Sequence, residues 1–188
     1  MKIIETPLAG LLIIEPQVFA DQRGYFLESY NQQKLKEAGI TVDFVQDNES
    51  KSSRGVIRGL HYQLAPYAQA KLVRVIQGRV YDVAVDCREG SPTYGQSYGL
   101  ELSEENKLQF YVPKGFAHGF SVLSETAIFS YKCDEFYNPA VERGIRYNDP
   151  ALNIDWGIET SQSIVSGKDA ILPLFADAEM NFIFGTND

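Results

Sequence analysis

The sequence predicts an all-β fold of jelly-roll type, a double-sheet sandwich or barrel with minor helices, as one domain over residues 1–188. Three observations carry that expectation. From residue 42 onward, short runs of strand character follow one another closely, each closed by turn or polar residues. Only one stretch reads as a convincing helix. No repeat, low-complexity tract or linker divides the chain, so many short strands must share one core, and two packed sheets do that best.

The elements follow in order. Leu11 to Glu15 is a short aliphatic run closed by Pro16, a strand of edge character because proline cannot donate to a ladder. Asp21-Gln22-Arg23-Gly24 carries turn chemistry, and Tyr25 to Tyr30 returns as an aromatic strand. The helix comes next: Asn31 caps it, Gln32 to Ala38 are mostly good helix formers, and Gly39 stops it. Val42 to Asn48 alternates as a strand, the polar run Glu49 to Arg54 reads as a loop, and Gly55 to Gln63 is strand again. Lys71 to Gln77 and Arg79 to Asp86 are two strands joined at Gly78, predicted as a tight hairpin. In the second of them Tyr81, Val83 and Val85 share one face. Tyr98 to Leu102, Gln109 to Val112, Phe120 to Leu123 and Ala127 to Cys133 supply four more strands. After Asn138-Pro139 the pattern weakens to a short strand at Gly144 to Tyr147, a turn at Asn148-Asp149-Pro150, and loops with short helical turns.

Composition narrows the function. A net charge of −8 argues against a general binder of nucleic acid or anionic membrane, yet leaves room for a local cationic pocket built from Arg23, Arg58, Lys71 and Lys168. The two cysteines, Cys87 and Cys133, are too few for a disulfide scaffold and are not spaced as a zinc site. The N-terminus lacks the long apolar stretch of a signal peptide, and no run reaches membrane-spanning length. A reduced, cytoplasmic protein is expected.

The chemistry gathers around two histidines, His61 in Arg58-Gly59-Leu60-His61-Tyr62-Gln63 and His118 in Pro113-Lys114-Gly115-Phe116-Ala117-His118. A lone histidine is more often structural than catalytic. Imidazole nevertheless titrates near neutrality and takes a proton well when a carboxylate orients it. The Pro-x-Gly-x-x-His pattern resembles the second motif of the cupin superfamily, a jelly-roll group in which the turn aims the histidine inward. A metal-binding cupin would also carry a His-x-His pair; here Gln63 stands where the second imidazole would be, so a metal-free site is expected.

Asp21 to Glu28, Phe44 to Asn48, Arg58 to Gln63, Lys71 to Arg74, Pro113 to Phe120, Tyr131-Lys132 and Lys168-Asp169 together resemble the dTDP-4-dehydrorhamnose 3,5-epimerase family, nearly end to end. The resemblance implies a dTDP-linked 4-keto-6-deoxyhexose substrate, proton exchange at C3 and C5, no cofactor, and a homodimer with N-terminal β-structure contributed across the interface. It implies His61 as base paired with Asp169, Tyr131 as the acid on the opposite face, and Lys71 at the enolate oxygen. It assigns Arg23 and Arg58 to the diphosphate and lines the nucleotide or sugar site with Glu28, Gln46, Asp47 and Asn48. His118, Glu142 and Lys168 lie nearby, and Tyr137 stacks on the thymine. Taken singly, Arg23, Glu28 and Tyr137 would pass for a solvated turn residue, a surface charge and ordinary aromatic packing.

One tension follows from geometry. In a regular strand Arg58 and His61 have opposite parity and face opposite sides of the sheet. Both reach one pocket only if the backbone is irregular near Gly59. Rival readings are a C3-only epimerase or 3,4-ketoisomerase on a related sugar, a non-catalytic sugar-nucleotide-binding jelly roll, and a metal-dependent cupin oxygenase. The last stretch, Ala178 to Asp188, matches no usable motif.

Overall fold

The computed structural model describes residues 1–186. The chain runs β1 (Lys2–Glu5), β2 (Leu12–Glu15), β3 (Val18–Asp21), β4 (Gly24–Leu27), α1 (Gln32–Glu37), β5 (Gln46–Ser53), β6 (Ile57–Gln63), β7 (Lys71–Gln77) and β8 (Arg79–Asp86). It continues through β9 (Ser97–Ser103), β10 (Gln109–Val112), β11 (Phe116–Val122), β12 (Thr126–Cys133), β13 (Glu142–Gly144) and α2 (Gly167–Ala170). Among the described residues, one sheet has the order β1-β2-β10-β7-β12-β5 and faces a second with the order β13-β6-β11-β8-β9. The β3–β4 hairpin stands apart as its own two-stranded ribbon.

Alternation along the strands explains the layering. Val73 and Val75 of β7, Val80 and Ala84 of β8, and Phe129 of β12 point between the sheets and pack with Phe110, Phe120 and Val122. Each such buried aliphatic or aromatic side chain contributes roughly 1.5–3 kcal/mol. The other parity of β8, Tyr81, Val83 and Val85, faces outward, as the alternation predicts. There the C-terminal segment covers it with Ile145, Leu152 and Trp156. The indole N–H of Trp156 donates to the Tyr147 carbonyl at 2.8 Å, which satisfies the one polar atom of that buried ring. On the outer face of the first sheet, α1 seats Leu35 against Ile14, Leu72 and Tyr111. Asn31 is its N-cap, its side chain accepting from the Lys34 amide at 3.1 Å.

Several expectations change. β2 is an interior strand between β1 and β10, because residues 2–5 form an edge strand of their own. The aromatic strand after the Asp21–Gly24 turn is short, ending at Leu27. The expected loop from Glu49 to Arg54 is largely strand: β5 pairs with β12 along its whole length, while Val42 to Val45 lie outside it. Its inward-facing positions are polar (Gln46, Asn48, Ser50, Ser52) because they meet a cleft, so the apolar alternation that marks a strand is missing. β7 and β8 form no hairpin, since they belong to opposite sheets. Gly78, at φ +79°, turns the chain across the sandwich where a Cβ would lie 2.1 Å from the Thr126 carbonyl oxygen. β11 begins earlier than Phe120 and places His118 within the strand.

The predicted irregularity at Gly59 is present. Opposite β11 the register passes from His118↔His61 to Phe120↔Arg58, three residues on β6 facing two. Gly59 sits at φ +112°, and a Cβ there would come within 2.7 Å of the Gly119 Cα and the His118 carbonyl oxygen. This bulge reverses parity, so that Arg58 and His61 line the same cleft.

Candidate active site

Between the sheets, at the end where β5, β6, β7, β11 and β12 diverge, lies a cleft of roughly 630 Å³. His61 and Arg58 come from β6, His118 from β11, Lys71 from β7, Tyr131 from β12 and Asn48 from β5. Asp169 and Lys168 enter on α2, held by Ser166, whose hydroxyl accepts from the Asp169 amide at 3.0 Å. Phe120, Phe129, Ile57 and Val165 complete an apolar lining.

His61 Nε2 lies 2.8 Å from Asp169 Oδ1. An ionised carboxylate only accepts, so Nε2 carries the proton and Nδ1 keeps a lone pair. Burial alone would raise the Asp169 carboxyl. Hydrogen bonds from His61, the Gly59 amide and Ser166 outweigh it and hold the group below the usual carboxylate range. The bulge at Gly59 therefore serves twice, aiming His61 and supplying an amide to its partner.

Across the cleft, on the other sheet, burial raises Tyr131, which stays a protonated donor at neutral pH. Burial pushes Lys71 below the ordinary lysine value, against the attraction of Cys133, Glu142 and Asp82. The Cys133 thiol on this wall is pushed up to about 11 by burial and is neutral. His118 Nε2 meets Asp82 Oδ1 at 2.8 Å in a second, fully buried His–Asp pair. Arg58 keeps its orientation through Ser52, donating from Nε to the hydroxyl at 3.1 Å.

The expected residues thus divide. His61, Asp169, Lys71, Tyr131, Arg58, Asn48, His118 and Lys168 share the cleft. Gln46, Tyr137 and Glu142 stand at its rim. The Tyr137 amide donates to Gln46, its hydroxyl donates to Glu142 at 2.9 Å, and Glu142 pairs with Lys168. Asp47 lies on the outer face of β5 by strand alternation, where it pairs with Lys132 at 2.8 Å. Arg23 and Glu28 are also outside this chain's own cleft. Arg23 sits exposed at the β3–β4 turn paired with Asp21, and Glu28 pairs with Lys34 at 2.7 Å. Asp82 was not anticipated; its signal was a carboxylate on the apolar Val80–Ala84 face of β8. Among the described residues no three His, Cys, Asp or Glu side chains group as a metal site. No helix there is long and apolar enough to cross a membrane.

Comparison with known proteins adds relatives of high similarity. A family model described as dTDP-4-dehydrorhamnose 3,5-epimerase matches residues 5–177. An enzyme of that name from Shigella flexneri is 53% identical over 180 residues, 95% of this chain and 98% of its own length. The crystal structure of one from Elizabethkingia anophelis has 60% identity and a TM-score of 0.90, covering 94% of this chain and 97% of that one. The Legionella pneumophila structure, in complex with dTDP-4-keto-L-rhamnose, has 53% identity and a TM-score of 0.90 over 93% of each chain.

Proposed function

The chain belongs to the dTDP-4-dehydrorhamnose 3,5-epimerase family, and from that premise we propose how its residues divide the work. The protein is an isomerase acting on a dTDP-linked 4-keto-6-deoxyhexose, inverting C3 and C5 in dTDP-L-rhamnose formation. Both carbons flank the C4 ketone, so loss of either proton gives an enolate. The oxidation level is the same before and after, and the chemistry needs only a base, an acid and charge stabilisation at O4.

The observation that carries this division is the placement of His61 and Tyr131 on opposite sheets, facing one cleft. His61, oriented by Asp169, removes the proton through Nδ1. Lys71 stabilises the enolate oxygen. Tyr131 returns a proton to the other face, which inverts the centre, and exchange with solvent resets both groups. Arg58 and Lys168 meet the diphosphate, Arg58 with the forked donor set suited to phosphate oxygens. Asn48 and His118 line the sugar, and the Tyr137–Glu142 rim borders the base, with Tyr137 stacking on thymine and Gln46 holding its loop.

Arg23 and Glu28 fit this scheme only in a homodimer. Val18, Phe19, Tyr25 and Phe26 of the β3–β4 ribbon are exposed, an apolar surface suited to lying across a second copy and carrying Arg23 to its diphosphate. The proposed setting is the cytoplasm, in keeping with two free, buried cysteines.

The test is incubation with dTDP-4-keto-6-deoxyglucose in deuterated water, without added metal, followed by NMR. Deuterium at both C3 and C5, lost in His61→Ala, is the expected result. Deuterium at C3 alone would mark a single-centre epimerase, and none with binding retained would leave a binding module.

A further inference from the structure

Gln63 closes β6 where a metal-binding cupin would carry its second imidazole, and only 3% of its surface is exposed. Its side-chain amide has three partners, all in backbone outside the sheets. Nε2 donates to the carbonyls of Tyr67 at 2.7 Å and Phe136 at 3.2 Å, and Oε1 accepts from the Asn138 amide at 2.7 Å. Carbonyls only accept and a backbone N–H only donates, so one orientation of the side chain satisfies all three. Two of these partners flank Tyr137. That stretch has no strand or helix to satisfy it: among the described residues, Glu135, Phe136 and Tyr137 make no hydrogen bond to another backbone group. Side-chain amides take over that task. Gln69 Nε2 donates to the Glu135 carbonyl at 2.8 Å, and Gln46 Oε1 accepts from the Tyr137 amide at 2.9 Å. Glu142, the cross-strand neighbour of Gln63, accepts from the Tyr137 hydroxyl at 2.9 Å. The Tyr137 ring remains open to solvent, with the residue 51% exposed. An exposed aromatic side chain is thus fixed at its backbone and at its tip.

We propose that Gln63 is a positioning residue for nucleotide binding: it sets the loop at 136–138 before substrate arrives, so that Tyr137 already stands where the base stacks. This rests on the stacking role given to Tyr137 above. Stacking contributes most when the ring has little freedom left to lose, because ordering a loop on binding subtracts from affinity. Satisfying the backbone does not by itself require this arrangement. A surface loop with exposed aromatic side chains could leave the same carbonyls and amides to water. Here one buried side chain instead serves the residues on both sides of Tyr137, and Gln46 and Gln69 secure the rest of the stretch. His61 stands two residues earlier on β6, so one strand carries the proton acceptor and anchors the nucleotide end.

The test compares wild type, Gln63→Met, Tyr137→Ala and the double variant. Methionine keeps the length and bulk of glutamine without its hydrogen bonds. In unligated wild type the Asn138 amide is expected to exchange slowly with deuterated water, and about tenfold faster or more in Gln63→Met. Binding of dTDP, read by calorimetry, is expected to weaken about five- to tenfold in Gln63→Met and about tenfold or more in Tyr137→Ala. Inorganic diphosphate, which lacks a base, is expected to bind Gln63→Met as it binds wild type. Adding Gln63→Met to Tyr137→Ala weakens dTDP by less than about twofold further, because the ring it positions is gone. Unaltered dTDP affinity in Tyr137→Ala would overturn the stacking reading and this inference with it. A loss there, with none in Gln63→Met or a fully additive one in the double variant, would overturn the inference alone. A parallel loss of diphosphate binding in Gln63→Met would do the same, since it marks general damage to the fold. If Gln63→Met does not fold, wild type decides. Slow Asn138 exchange before dTDP is added upholds a preset loop; free exchange that slows only with dTDP would refute it.

Discussion

At the scale of single residues, the site separates proton removal from proton return. His61→Ala is expected to lower exchange at C3 and C5 by about 10²–10⁴-fold, the usual worth of a positioned base. Tyr131→Phe predicts a different signature. Deuterium still enters from the His61 side, because the base is intact, but the inverted sugar accumulates much more slowly. Loss of both together in Tyr131→Phe would mean that the phenol also takes part in deprotonation. Asp169 makes a stability statement as well. Its folded-state pKa lies below the ordinary value, so its contribution is present above about pH 4 and is lost as the pH falls through the folded value. Urea denaturation of wild type and Asp169→Asn should therefore show a stability gap at pH 7 that narrows below about pH 4. A gap that widened in acid would reverse the sign of the coupling.

At the scale of elements, β6 is the part whose irregularity has a purpose. A regular strand would turn Arg58 and His61 to opposite sides; the bulge opposite His118 and Phe120 turns both inward. Gly59→Ala adds a methyl group 2.7 Å from the backbone of β11 at a φ that L side chains rarely adopt. A loss of about 3 kcal/mol in unfolding free energy is expected from this combination of strain and overlap. An unchanged urea midpoint would show that β6 and β11 separate more easily than their contact implies. The cap of α1 offers a milder control: Asn31→Ala should cost about 1 kcal/mol and leave exchange kinetics unchanged.

At the scale of the whole molecule, the β3–β4 ribbon is the element that one chain leaves unexplained. Its aromatic side chains are exposed, and its arginine pairs with Asp21 two residues away. Sedimentation is expected to give a dimer, shifted toward monomer by Phe26→Asp. Arg23→Ala in the dimer should raise KM about tenfold or more, as loss of a charge-assisted phosphate contact does, with kcat little changed. An Arg23→Ala variant of unaltered KM would place the ribbon away from the diphosphate.

Residue type and order were enough to mark the jelly roll, the capped helix, the two histidine stretches and the motifs whose combination resembles one epimerase family. These are local or ordered along the chain: a cap needs one side chain and one amide, and alternation reports which face of a strand is buried. The need for a break at Gly59 was also legible, because parity is a counting rule. Tertiary structure alone decided the rest. Asp169 is distant from His61 in sequence and meets it only because α2 folds back over β6. The part of β5 from Glu49 onward was read as a loop because its inward face meets a cleft and is polar, and β7 and β8 parted into different sheets although a glycine turn joins them. The outward face taken by Asp47 follows from the register of β5, and Asp82 was passed over because its partner His118 stands on another strand. Sequence pattern reports what each residue does to its own backbone and face; which groups meet across the sandwich depends on strand order, and no local period encodes that.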